Sequence, residues 1–141
     1  MSRTAQRPTV MIVDDIPANL DLLDHVLRTK GYRALTFPRG KLALEAAVET
    51  PPDLILLDIA MPGMDGFEVC RRLKATPILA EIPVIFLGSS GENEERARAF
   101  SAGGADYVTK PFQEEEILTK VLTYLRMMEM QHALRERSKK T

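Results

Sequence analysis

The chain has 141 residues, the size of one compact domain, since domains cluster near roughly 100 to 150 residues and that length buries a real core. Apolar residues make up 45% and charged residues 28%, which excludes a disordered or membrane-embedded chain, and no apolar run approaches the roughly 18 residues of a membrane span. The formal net charge of −1 argues against the broad basic face that direct nucleic-acid binding needs, and the start MSRTAQRPT carries no signal-peptide pattern, so the chain reads as cytosolic.

In chain order, the first strong signal is VMIV at Val10 to Val13, an apolar run without polar alternation, as expected of a strand covered on both faces. A helix follows over Ala18 to Thr29, with Leu20, Leu23, Val26 and Leu27 on one face and Gly31 as its C-cap. YRALTF, Tyr32 to Phe37, is a weaker strand placed near a sheet edge. A second helix over Leu42 to Thr50 is expected to turn Leu42, Ala46 and Val48 inward before Pro51-Pro52 stops it. LILL at Leu54 to Leu57 is the next buried strand. MPGMDG then supplies turn chemistry, with Pro62 and Gly63 at adjacent turn positions and Gly66 ending the loop before a short helix over Phe67 to Lys74 that offers Val69, Cys70 and Leu73. VIFL at Val84 to Leu87, an acid-led helix over Glu92 to Ala102, the edge strand DYVT at Asp106 to Thr109 and a last helix from Gln113 toward Glu136 complete the chain. Strand and helix alternate five times, so the expected fold is α/β, a doubly wound five-stranded parallel sheet of order 2-1-3-4-5, flavodoxin-like, with an extended C-terminal helix.

In such a sheet the strand ends that face one crevice carry Asp14-Asp15, Asp58, Gly88-Ser89-Ser90 and Lys110. Three carboxylates a few ångströms apart repel one another unless a cation resolves the conflict. Few carboxylates plus waters suit Mg²⁺, and Lys110 offers a second positive charge. Together they would stabilise a transferring phosphoryl group with an aspartate as its covalent acceptor. Each residue also has a plainer reading: Asp14-Asp15 as a turn and helix N-cap, Asp58 as a loop carboxylate, Lys110 as a surface lysine. Cys70 has no disulfide partner and reads as packing; with only His25 and His132 there is no zinc cluster, and both histidines read as solvated helical residues.

The combination of VDD at 13 to 15, LLDIAMPGMDG at 56 to 66 and GGADYVTKPF at 103 to 112 closely resembles the receiver domain of two-component response regulators, over about residues 9 to 125. The resemblance implies that Asp58 accepts phosphate from a histidine kinase or phosphotransfer protein. It implies Mg²⁺ on Asp15, Asp58 and the backbone carbonyl of Ala60, with Asp14 helping through water. Lys110 would pair with the aspartate or its phosphate, the Lys110-Pro111 peptide would be cis, and Tyr107 stands at the family's switch aromatic. The resemblance also marks a departure. The family has Thr or Ser at the position of Gly88, whose hydroxyl binds a phosphoryl oxygen and draws the aromatic inward. Coupling to Tyr107 is therefore expected to weaken unless Ser89 or Ser90 rotates into the gap, with Gly88→Thr as the restoring substitution, and Tyr107 reads as readily as a plain edge-strand aromatic. Ala60 and Ser90 are both small, which leaves a water path to the acyl phosphate open and implies a short-lived phosphoryl state.

Residues 126 to 141 extend beyond the resemblance, as a helical extension or a linker to a partner or output domain. Arg126, Arg135, Arg137, Lys139 and Lys140 against Glu129 and Glu136 leave it at +3, and Met127, Met130 and Leu134 form a short apolar stripe. It reads either as a fraying helix or as a parallel coiled coil forming a homodimer. Two other functions compete with the receiver. An aspartyl-phosphate hydrolase of the haloacid dehalogenase type would need DxDx(T/V), which Asp14-Asp15-Ile16-Pro17 lacks; a receiver-like scaffold without phosphoryl switching rests on Gly88.

Overall fold

The computed structural model describes residues 7–89 and 93–140, with side chains through residue 138. Ser90 and Glu92, which enter the expectations above, lie outside the described residues. Ten elements alternate along the chain: β1 (Thr9–Val13), α1 (Pro17–Thr29), β2 (Arg33–Phe37), α2 (Gly40–Glu49), β3 (Leu54–Asp58), α3 (Gly66–Ala75), β4 (Val84–Gly88), α4 (Asn93–Ser101), β5 (Asp106–Thr109) and α5 (Glu114–Lys140). The five strands form one parallel sheet of order β2-β1-β3-β4-β5. The unalternated apolar runs are the three central strands, and β3 and β4 are buried at every position. The weaker segments lie at the two edges, where partial exposure tolerates polar residues.

Two apolar layers cover the sheet. One face packs Met11, Val13, Leu57 and Phe86 against α2, α3 and α4. The other packs Ile12, Leu56 and Leu87 against α1 and α5. Alternate side chains of each strand therefore enter opposite layers, which is why a central strand has no polar position until its end.

One facing differs from expectation. In α2 the buried positions are Gly40, Ala43 and Ala47, while Leu42 and Val48 are 45% and 52% exposed. The cause is close approach to α3: a Cβ at Gly40 would collide with the Val69 side chain, so only small residues fit on that face and the larger ones turn outward. The loop from β3 into α3 follows the expected turn chemistry. Gly63 adopts φ +79° after Pro62, and Asp65 caps α3 by accepting from the Glu68 amide at 2.9 Å. Gly31 stands just past α1 at φ +86°. Cys70 is fully buried, and burial pushes its thiol up to about 11, as befits a packing residue.

The last helix runs 27 residues without a break. Ile117, Val121 and Leu125 anchor its first half in the core. Its second half passes the amino ends of β1 and β3, where Met128, Glu129 and His132 line a 420 Å³ groove with Pro8, Pro52 and Ile82. Arg135 makes a bidentate ion pair with Glu81 in the α3–β4 loop. Met127, Met130 and Leu134 stay exposed, at 46%, 66% and 60%. Among the described residues no helix is long and apolar enough to cross a membrane.

Candidate functional site

Strand register brings the charged residues together. Val13 stands opposite Leu57, Asp58 opposite Leu87, and Gly88 opposite Thr109, so the next residue of each strand emerges on the same rim. Backbone bonds hold that rim: the Asp14 amide donates to the Phe37 carbonyl at 3.2 Å, and the Lys110 amide to the Gly88 carbonyl at 2.8 Å. Behind Asp58, Gly66 comes so close that a Cβ there would strike the Asp58 carbonyl and lie 2.8 Å from the Ile59 Cα. Its amide donates to the Ile59 carbonyl at 2.8 Å, and this clamp fixes where β3 releases its terminal carboxylate.

Asp14, Asp15 and Asp58 each place a carboxylate oxygen within 4.8 Å of the other two. Lys110 Nζ lies 3.0 Å from Asp58 Oδ1 and 3.3 Å from Asp14 Oδ2. Asp14 is fully buried and Asp58 is 2% exposed, so their charges stand in a poorly solvated setting. Asp14 has its oxygens engaged, Oδ1 accepting from the Ile16 amide at 2.9 Å and Oδ2 from Asn19 Nδ2 at 3.2 Å. It therefore does hold the turn into α1, but neither aspartate is the N-cap, which falls on Ile16 ahead of Pro17. Asn19 carried no signal in the sequence, because its role depends on α1 folding back over the rim.

Asp58 Oδ2 is buried and accepts no hydrogen bond from the described residues. Burial is the chief reason the Asp58 carboxyl rises from its ordinary 3.8 to about 6; the Lys110 hydrogen bond opposes the rise and the Asp14 charge adds to it. For Lys110, burial alone would lower the ammonium pKa, but the two carboxylates outweigh it and raise the value. An orphaned buried oxygen aimed into a cluster of three carboxylates fits a hard divalent cation with oxygen ligands. Ala60 is exposed two residues beyond Asp58, the last residue of β3. The Lys110-Pro111 peptide is cis.

Beside this rim, Tyr107 is 1% exposed, with its ring turned into the molecule. Its hydroxyl donates to Glu95 Oε1, and the Arg96 guanidinium lies 4.7 Å from its ring centroid. The space beside Gly88 is occupied by the Tyr107 hydroxyl and the Glu95 carboxylate. A Cβ at residue 88 would overlap the Tyr107 hydroxyl, so Gly88→Thr requires the tyrosine ring to shift. Ser89 is exposed at the end of β4. His25 is exposed on α1, away from the rim, and His132 is partly buried at the opposite end of the molecule.

Residues 10–122 match the family model of the response regulator receiver domain, and the chain belongs to that family. It is similar to the DNA-binding dual master transcriptional regulator RpaA of Synechocystis, with 40% identity covering 84% of this chain and 49% of RpaA. It is also similar to the response regulator PleD of Caulobacter vibrioides, with 38% identity covering 91% of this chain and 28% of PleD. The chain thus spans about half the length of RpaA and under a third of PleD. Among solved structures, the chemotaxis protein CheY4 of Vibrio cholerae superposes with a TM-score of 0.81 at 26% identity, covering 84% of this chain and 99% of that one. The chain is a receiver domain of two-component signalling.

Proposed function

We propose that this receiver is a phosphoacceptor, taking a phosphoryl group from a histidine kinase or phosphotransfer protein onto Asp58 and changing its protein contacts in response. The observation that carries the reading is the meeting of Asp14, Asp15 and Asp58 within 4.8 Å, with Lys110 Nζ 3.0 Å from Asp58. Asp58 Oδ2, the oxygen without a hydrogen bond from the described residues, is the nucleophile: it forms the new O–P bond as the N–P bond of the donor phosphohistidine breaks and the imidazole leaves. Lys110, already paired with the carboxylate, turns its ammonium to the phosphoryl oxygens.

Asp15, Asp58 and the Ala60 carbonyl would hold Mg²⁺, with Asp14 acting through water. When bound, the ion offsets charge on the carboxylates and on the phosphoryl oxygens. The chain is not an enzyme on this reading, beyond slow self-dephosphorylation. Residues 9–125 would make up the receiver, and 126–141 an extension or linker to a partner or an output domain, helical as far as Lys140. The exposed Met127, Met130 and Leu134 lie on the opposite side of α5 from Met128 and His132, so a second copy can pair along this stripe without displacing the body. No direct nucleic-acid or membrane contact is assigned to this domain.

Labelling with acetyl phosphate separates this reading from its competitors. A phosphoacceptor takes up one phosphoryl group in wild type and none in Asp58→Asn, and does not turn over added phosphomonoesters. Sustained phosphomonoester hydrolysis would instead indicate a phosphatase, and unlabelled wild type would indicate a scaffold.

A further inference from the structure

Asn19, half-buried in the first turn of α1, faces the carboxylate rim. Its backbone amide donates to the Ile16 carbonyl at 3.0 Å, and its side-chain Nδ2 donates back to Asp14 Oδ2 at 3.2 Å. The Ile16 amide in turn donates to Asp14 Oδ1 at 2.9 Å. The turn from Asp14 to Asn19 thus closes on itself, and Asp14 is gripped at both carboxylate oxygens.

That grip bears on Lys110. The ammonium stands 3.0 Å from Asp58 Oδ1 and 3.3 Å from Asp14 Oδ2, the same oxygen that Asn19 holds. A carboxylate oxygen accepts from about two directions, so one atom serves both donors. When Asp58 Oδ2 forms its bond to phosphorus and the donor leaves, Asp58 ceases to be a free carboxylate. Of the two acids that Lys110 touches, Asp14, fully buried, is then the one that keeps its charge, and the place of its Oδ2 decides where the ammonium stands against the phosphoryl oxygens. Held by the Ile16 amide alone, the carboxylate would be free to turn about its Cβ–Cγ bond and take the ammonium with it. A second donor on the second oxygen stops that rotation. The residue type suits the task. An amide donates without bringing a charge, whereas a cation at 19 would compete with Lys110 for Asp14 and an acid would repel Asp14.

The geometry points to Asn19 as a positioning residue for phosphoryl transfer: it fixes the Asp14 carboxylate and, through it, the Lys110 ammonium. The inference rests on the phosphoacceptor reading.

The test is acetyl-phosphate labelling of the full chain at saturating Mg²⁺, read by intact mass, with the maximal rate and the half-saturating acetyl-phosphate concentration fitted separately. Asn19→Leu, which keeps the bulk and loses the donor, lowers the maximal rate roughly tenfold, as expected for one lost hydrogen bond to a charged group, and leaves the half-saturating concentration unchanged. Asn19→Ala does the same. Asn19→His above neutral pH, whose ring Nδ1–H lies as many bonds from the backbone as the amide it replaces, restores the rate. With Asp14→Asn already present, Asn19→Leu causes no further loss, because a residue that acts through Asp14 has no charge left to position. A role confined to holding α1 would slow that chain by the same factor again. The inference is overturned if Asn19→Leu and Asn19→Ala label at the wild-type rate, if the histidine fails to restore it, or if the loss persists on top of Asp14→Asn. Unlabelled wild type would overturn the phosphoacceptor reading and this inference with it; labelled wild type beside unaffected Asn19 variants would overturn this inference alone.

Discussion

Replacing Asp58 with asparagine should stabilise the chain in the absence of divalent metal. In the unfolded chain this carboxyl ionises near 3.8, and in the folded chain at about 6. Between those values the folded state binds more protons than the unfolded state, so stability falls as pH rises through that window. Above it, at neutral pH, the folded chain carries the full penalty, about 1.4 kcal/mol per pKa unit and hence about 3 kcal/mol at most. Asparagine removes the buried charge, keeps the shape and still accepts a hydrogen bond from Lys110, which retains Asp14 at 3.3 Å. A gain of about 1–3 kcal/mol is expected, which for a domain of this size raises Tm by roughly 3–9 °C. Thermal melts in chelator at neutral pH, repeated near pH 4, provide the assay: the variant should lead at neutral pH and lose its lead in acid. Adding Mg²⁺ should stabilise wild type by about 2.7 kcal/mol at a hundredfold excess over its dissociation constant and close the gap, with little gain for the variant. A variant that melts at or below wild type in chelator would refute the claim that burial strains this carboxylate.

Lys110→Ala should cut the rate of acetyl-phosphate labelling by roughly 10- to 100-fold, the equivalent of losing one charge-assisted hydrogen bond of about 1.5–3 kcal/mol, while Mg²⁺ titration still shows binding. Gly66→Ala forces a methyl into the Asp58 carbonyl and the Ile59 backbone, neither of which can yield like a side chain. It should cost about 1–3 kcal/mol in urea unfolding and weaken Mg²⁺ binding as well. A chain ending at Arg126 should sediment as a monomer where the full chain forms a dimer, since the exposed Met127, Met130 and Leu134 are then lost. The phosphoryl group on Asp58 should hydrolyse quickly, because Ala60, two residues on, is small and exposed; a decay time of many hours by intact mass would contradict this.

The central strands were legible because burial on both faces removes the polar alternation that would otherwise interrupt Val10–Val13, Leu54–Leu57 and Val84–Leu87. The site was legible for the same reason. Where such a strand ends in a carboxylate or is followed by one, parallel topology alone sends Asp14, Asp58 and Lys110 to one rim. What escaped notice depends on distances between elements. The inward face of α2 is set by how near α3 comes, and hydrophobicity points the wrong way when the contact admits only Gly40, Ala43 and Ala47. Asn19 and Glu95 look like ordinary polar helix residues until α1 and α4 are laid on the sheet. Glu81 and Arg135, 54 residues apart, announce nothing of their pairing.

The most direct measurement is a crystal structure of the full chain with Mn²⁺ and beryllofluoride, the metal located by its anomalous signal. The account predicts one metal peak bounded by Asp15, Asp58 and the Ala60 carbonyl, with beryllofluoride on Asp58 and the Lys110 ammonium against its fluorines. A metal bound elsewhere, or beryllofluoride absent from Asp58 while the metal is present, would contradict it.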